Sequence, residues 1–192
     1  ILTNMMYHFK IRVILLGILF FSYYSALLGQ CPGNLISNGS FTSVEGEGVV
    51  APGWIGGPQG PITFGTPDIN DAIGPVNTSP GYNWNGQPLP SQDGGTWQNL
   101  FSYEYIEQNL LLIQGIVYRL CFEFASQSIT TVSFPGVANI FINGTIAFIS
   151  NPDSSIWTWE DTCMSFIAPS DSVTIRIQGI NSFSYLAIDG VC

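Results

Sequence analysis

The stretch VANIFINGTIAFIS, residues 137–150, decides the fold class. Two apolar runs rich in β-branched residues flank Asn143-Gly144. Asn and Gly both accept the positive φ angles of a two-residue type I′ turn, so the segment is predicted as a β-hairpin. Asn143-Gly144-Thr145 also matches the N-glycan acceptor pattern, as do Asn38-Gly39-Ser40 and Asn77-Thr78-Ser79. That pattern is short and arises by chance, and the hairpin turn already accounts for Asn143.

Working outward, the neighbouring segments alternate with the period of a strand. In IVYRLCFEF (116–124), Tyr118, Leu120, Phe122 and Phe124 face one way, and Arg119, Cys121 and Glu123 the other. WEDTCMSFIA (159–168) opposes Met164 and Phe166 to Cys163 and Ser165. SVTIRIQ (172–178) puts Val173, Ile175 and Ile177 on one face, and YLAIDGVC (185–192) reads as a last strand. EYIEQNLLLIQG (104–115) has helical propensity, but its Ile106, Gln108, Leu110 alternation and the turn at Gly115 favour a strand. Glu104 and Glu107 then fall on opposite faces. Residues 51–95 are rich in Pro, Gly, Asn and Ser, and predict ordered loops with short strands. No segment carries a sustained helical period. Short strands joined by turns predict an all-β, two-sheet antiparallel sandwich of jelly-roll type.

Composition narrows the chemistry. Residues 1–30 carry Lys10 and Arg12 ahead of VILLGILFFSYYSALL, the order of an export signal. That apolar run is shorter than the ~20 residues of a spanning helix. The expected organisation is a signal at 1–30 and one domain at 31–192. That domain holds all 13 acids but only Arg119 and Arg176, a formal charge of −11 (2 − 13). Such a surface repels phosphate, so nucleic acid is excluded as a partner, and no segment after the signal is apolar enough to span a membrane. The one histidine, His8, lies in the signal. Without it there is no Ser-His-Asp or Cys-His pair and no His-ligated zinc. Paired carboxylates, as in glycoside hydrolysis, are the remaining catalytic option.

Several short motifs then occur in a particular order: NLISNGSF (34–41), APGW (51–54), DGG (93–95), EYIEQNL (104–110), the spaced Leu112, Gly115, Tyr118, Leu120 and Phe122, ING (142–144) and YLAIDGV (185–191). Together they resemble the galactose-binding-like jelly roll of carbohydrate-binding modules of the CenC type. TPDIND and SYEYIEQNLL are similar to the versions found in exported surface proteins of gliding Bacteroidota. The resemblance implies that NLISNGSF is the first strand and YLAIDGV the last. It also implies a structural calcium between them, held by Asn38, Thr42 and Asp189. Phe41 is followed by Thr42 where the family usually has Glu, and Asp189 by Gly190 where it has a second Asp or an Asn, so the donor set is short of charge unless Glu45 or Glu47 joins it.

Four cysteines allow three pairings and suit an oxidising compartment. In the resembling fold the strands of Cys121 and Cys163 are neighbours, as are the first and last strands. The resemblance thus implies Cys121–Cys163 and Cys31–Cys192. Lipidation of Cys31 is the rival, but Gln30 stands where a lipobox needs a small residue.

For function, exposed loop aromatics are natural platforms for the apolar faces of sugar rings. Tyr82 and Trp84, with Asn85 and Gln87 as hydrogen-bonding neighbours and Trp97 and Tyr103 flanking the loop, are the candidate ligand-binding residues. The competing reading of Trp54, Trp97 and Trp157 or Trp159 is core packing. The expectation is an exported, non-catalytic module binding polysaccharide or glycoconjugate, secreted or at the cell surface, with further domains downstream. A structural or adhesive domain without a sugar site is the alternative. A carboxylate glycosidase is the third.

Overall fold

The computed structural model describes residues 33–58, 66–71, 91, 93–128, 136–150, 158–180 and 184–192. Cys31, Tyr82, Trp84, Asn85 and Gln87 lie outside the described residues, as does the export signal. Ten strands form two antiparallel five-stranded sheets, with no helix among the described residues. The strands are β1 (Ile55–Pro58), β2 (Asp68–Asp71), β3 (Thr96–Phe101), β4 (Glu104–Leu111), β5 (Val117–Ser128), β6 (Ala138–Ile142), β7 (Thr145–Ile149), β8 (Glu160–Ile167), β9 (Ser172–Gly179) and β10 (Ser184–Asp189). The front sheet runs β1-β4-β9-β6-β7 and the back sheet β2-β3-β10-β5-β8.

The hairpin that decides the fold class is β6–β7. Ile142 pairs with Thr145, so Asn143 and Gly144 alone make the turn, at φ 48° and 78°. Asn143 also ties the tip to β9: its Oδ1 accepts from the Thr174 N–H at 2.8 Å, and its backbone N–H donates to the Thr174 carbonyl at 2.9 Å. Alternation then builds the core. Ile106 and Leu110 of β4, Ile140 of β6 and Val173, Ile175 and Ile177 of β9 point inward. They meet Leu120, Phe122 and Phe124 of β5 and Leu186 and Ile188 of β10. Burial of this interdigitated aliphatic layer is the main stabilising term of a sandwich.

NLISNGSF is not the first strand. Among the described residues no strand precedes β1. Asn38 and Phe41 sit in the left-handed region at φ 52° and 42°, which breaks extended backbone. The Asn38 carboxamide oxygen accepts from the Thr42 N–H at 2.9 Å, the local competition with sheet pairing that Asn side chains offer. Two buried glutamines hold this segment and the one that follows it instead of a ladder. Gln108 accepts from the Ser37 N–H at 2.7 Å and donates to the Ser37 and Gly53 carbonyls, each at 2.9 Å. Gln98 likewise takes the Ala51 N–H and donates to the Val49 and Asp68 carbonyls. Phe41, fully buried, packs its ring 5.2 Å from that of Trp54. Gly39 is needed where the segment crosses the end of the last strand, because a Cβ there would strike the Val191 carbonyl oxygen. The Val191 N–H also donates to the Gly39 carbonyl at 3.0 Å.

Cys121 and Cys163 are directly opposed on β5 and β8 and form a disulfide, with Cα atoms 4.1 Å apart. Cys192 is also disulfide-bonded and exchanges backbone hydrogen bonds with Cys121. Replacing Cys121 and Cys163 together by alanine should lower stability by about 2–4 kcal/mol, the usual range for a crosslink closing a loop of this order. Thermal melting of the double variant checks this, and an unchanged Tm would assign the bond no stabilising role.

Candidate functional site

The inward residues of the front sheet fill the core, so its alternate residues face outward together. Register aligns them in two rows across all five strands. The first row is Gly57, Tyr105, Gln178, Asn139 and Ile149. The second is Ile55, Glu107, Arg176, Phe141 and Ile146. At the usual strand spacing the rows are about 19 Å long.

The centre of this face is organised around Arg176. Its Nε donates to Glu107 Oε2 at 2.8 Å and a terminal nitrogen lies 2.7 Å from the same oxygen. The guanidinium carbon lies 3.9 Å from the centroid of the Tyr105 ring, in stacking range. Gly57, paired with Tyr105 on the neighbouring strand, lies beside the same ring. The Arg176 and Glu107 side chains are 25% and 20% exposed. Such a pair adds little stability but holds the guanidinium plane and the tyrosine ring in one orientation.

Amides complete the face. Gln178 is buried and donates from Nε2 to the Tyr103 carbonyl at 3.0 Å. Asn139 is 7% exposed, and its Oδ1 is buried with no hydrogen-bond partner. An orphaned carboxamide oxygen costs about 1–3 kcal/mol, a cost that a ligand hydroxyl or a water relieves. Phe141, directly across from Arg176, is half-buried and offers a second aromatic surface. Rings, a planar cation and amides on one face suit a polar ligand with apolar ring faces.

The sequence-derived residues separate in space. Trp97 is 1% exposed and lies in a second apolar cluster on the outer face of the back sheet. Tyr103 is in the β3–β4 turn and meets the front sheet through its carbonyl. The residues that sequence reading overlooked are Tyr105, Phe141, Gln178 and Asn139. The available signal was their outward parity on alternating strands.

Catalytic geometry is weak by comparison. Glu107 is the one carboxylate in the two rows of the front face, and it is held by Arg176. Glu104 points inward and accepts from the Phe101 N–H at 2.7 Å, and burial pushes its pKa up to about 8. The back sheet aligns Asp189, Glu123 and Asp161 in register. Asp189, however, is fully buried, its Oδ2 accepts from the Ser91 hydroxyl, and burial pushes its pKa up to about 7.

The calcium donors implied by resemblance are unequal. Both amide atoms of Asn38 are committed within the chain, and its carbonyl accepts from Trp54 Nε1 at 3.0 Å. Thr42 is exposed. Asp189 keeps a buried Oδ1 without a partner. Among the described residues no group of three or more acidic, His or Cys side chains is placed to hold a metal ion.

Sheet order and face packing define the chain as a β-sandwich of jelly-roll type. No family model and no curated protein matches the sequence. Solved structures do match the fold. A putative sugar-binding protein from Bacteroides thetaiotaomicron aligns at TM-score 0.54 and 11% identity, over 82% of this chain and 97% of that one. A cyclase from Fischerella sp. TAU, solved in complex with 4-(1H-indol-3-yl)butan-2-one, aligns at TM-score 0.53 and 17% identity, over 81% and 93%. A tailspike enzymatic domain from bacteriophage CBA120 aligns at TM-score 0.51 and 13% identity, over 82% of this chain and 21% of that one. At these identities the likeness establishes the fold and leaves function to the site.

Proposed function

We propose that this is an exported, non-catalytic carbohydrate-binding domain that lays a neutral glycan across the outer face of the front sheet. The observation that carries the reading is the pair of aligned rows, with Tyr105 and Arg176 stacked, Phe141 beside them and Asn139 Oδ1 unpartnered. Tyr105 and Phe141 supply ring surfaces, and Arg176, Gln178 and Asn139 supply hydrogen bonds to hydroxyls. The one cation in the rows is neutralised by Glu107 and the domain is strongly acidic, so anionic glycans are disfavoured. The fold likeness to a sugar-binding protein supports the reading, and the Cys121–Cys163 disulfide suits an extracellular setting. No helix of the described residues is long and apolar enough to cross a membrane.

The test is a glycan array probed with the wild-type domain and with Phe141→Ala. Binding by the wild type that the variant loses supports the site. Absence of any bound glycan overturns the proposal, and favours the structural or adhesive alternative. Tyr82 and Trp84 stay within the proposal as loop contacts, and Trp84→Ala on the same array assigns them.

A calcium brace belongs to the proposal at Asp189, through its unpartnered Oδ1, with the exposed Thr42 as a secondary donor and Asn38, whose polar atoms are committed within the chain, set aside. Calcium is expected to raise the Tm and EDTA to lower it. Identical melting curves in the two buffers would remove the ion.

A further inference from the structure

Cys163, Cys121 and Cys192 stand in one row on the outer face of the back sheet, and a bulge puts the third of them there. Cys121 is directly opposite Cys163 across β5 and β8, and the two are bonded. On the other side of β5, Asp189 of β10 pairs with Glu123. Continued in that register, the chain would set Val191 against Cys121. Instead Cys192 exchanges both backbone hydrogen bonds with Cys121, at 2.8 and 2.9 Å. Gly190 and Val191 therefore stand against Phe122 alone, a bulge opened by Gly190 at φ 59°. The bulge keeps Val191 in the core and turns Cys192 outward beside Cys121.

The ladder fixes the spacings. Cys121 gives its backbone groups to Cys192, so toward β8 it forms the close, non-hydrogen-bonded kind of pair, and the Cα atoms of Cys121 and Cys163 are 4.1 Å apart. A pair that exchanges both hydrogen bonds has Cα atoms about 5.5 Å apart, with its side chains on one face. That separation is within the range a disulfide spans, so Cys121 can bond either neighbour. Cys192 is itself held in a disulfide, and the family resemblance pairs it with Cys31. Cys163 is exposed on β8, the edge strand of the sheet, whereas Cys121 and Cys192 are half-buried.

We propose that the row is a thiol–disulfide relay that converts opening of the Cys192 bond into a reactive thiol at Cys163. The trigger is a small-molecule thiol. It attacks the sulfur bonded to Cys192, forms a mixed disulfide there and releases Cys192 as thiolate. The Cys192 thiolate then attacks Cys121 Sγ. The Cys121–Cys192 bond forms, the Cys121–Cys163 bond breaks, and Cys163 leaves as thiolate. Each step exchanges one disulfide for another, so no oxidant is consumed. The β5–β8 crosslink becomes one that ties β5 to the segment after β10. The edge strand gains an exposed thiol, open to a mixed disulfide with a second thiol-bearing molecule. The row shares no residue with the front face, so the relay is independent of the glycan proposal.

The experiment treats the folded domain with rising concentrations of reduced glutathione at about pH 8, where thiolate is available. Free thiols are capped with iodoacetamide and the peptides are mapped by mass spectrometry. The wild type should yield a Cys121–Cys192 crosslinked peptide with Cys163 capped. In Cys192→Ser under the same thiol, capping of Cys163 should be lost, because the attacking sulfur is gone. Cys31→Ser should yield the Cys121–Cys192 crosslink without any glutathione. Capping confined to Cys192 with Cys121–Cys163 intact, in the wild type or in Cys31→Ser, overturns the relay. Equal capping of Cys163 in the wild type and in Cys192→Ser also overturns it, since the exposed bond is then reduced directly. If Cys192→Ser fails to fold, the wild-type and Cys31→Ser maps decide between relay and no relay.

Discussion

The domain should melt at a lower temperature at pH 8 than at pH 5, by roughly 5 °C or more. The cause is buried carboxyls, chiefly Glu104 and, on the outer face of the back sheet, Asp68, with Asp189 acting in the same sense. Burial pushes the Glu104 pKa from 4.5 to about 8, with the nearby Asp68 charge adding to the rise, and against the pull of the Phe101 N–H bond. Burial pushes Asp68 from 3.8 to about 6, with Glu47 adding and the Gly48 N–H bond opposing. At pH 5 both are largely protonated in the folded chain. As pH rises above about 4, the unfolded chain releases these protons while the folded chain retains them. The unfolded state is therefore favoured progressively, until the folded pKa values are passed near pH 8. Each unit of raised pKa is worth about 1.4 kcal/mol, and 1 kcal/mol moves the Tm of a domain of this size by about 2–4 °C. Mutual repulsion of the surface acids acts in the same direction. Glu104→Gln keeps an acceptor for the Phe101 N–H and removes the titration. Its Tm should match wild type at pH 5 and exceed it at pH 8. A wild-type slope retained in this variant would clear Glu104 of the effect.

Arg176→Ala should abolish measurable binding of whichever glycan the array identifies. The substitution removes the donors at the centre of the face, releases the Tyr105 ring from its stack and leaves Glu107 without its cation. Charge-assisted hydrogen bonds are worth about 1.5–3 kcal/mol each, so losing even one weakens binding by about 10- to 100-fold. Arg176→Lys keeps the charge but not the planar fork, and should recover only part of the affinity. The pair is partly exposed, so the Tm of both variants should stay close to wild type. Isothermal titration beside a melting curve separates the outcomes: binding lost together with fold would make Arg176 structural rather than a ligand contact.

Particular residues show how far the sequence could be read. The Asn143-Gly144 turn was legible because both of its φ angles are positive, and few residue pairs tolerate that. The outward and inward faces of β4, β5 and β9 were legible because alternation has a period of two, whatever the partner strand. The first motif was misread as a strand because Asn38 and Phe41 adopt left-handed backbone, and because its hydrogen bonds go to Gln108 and Thr96, far along the chain. The candidate face was missed for the same reason. Tyr105, Phe141 and Arg176 are spread over some seventy residues and touch no common local motif.

By itself, then, the sequence determined the all-β class, the hairpin at the edge of the front sheet, the acidic charge, the absence of histidine chemistry in the domain and the faces of the long strands. These follow from short-range backbone preference and composition. Only the tertiary structure decided which strands are neighbours. Strand order and register place Tyr105 beside Gln178, and Arg176 between Glu107 and Phe141. They also place Trp97, a candidate sugar platform in the sequence, in a buried apolar cluster on the outer face of the back sheet. Alternation assigns each side chain a face, but it carries no information on what stands beside it. That is settled by how two sheets bury their apolar sides together.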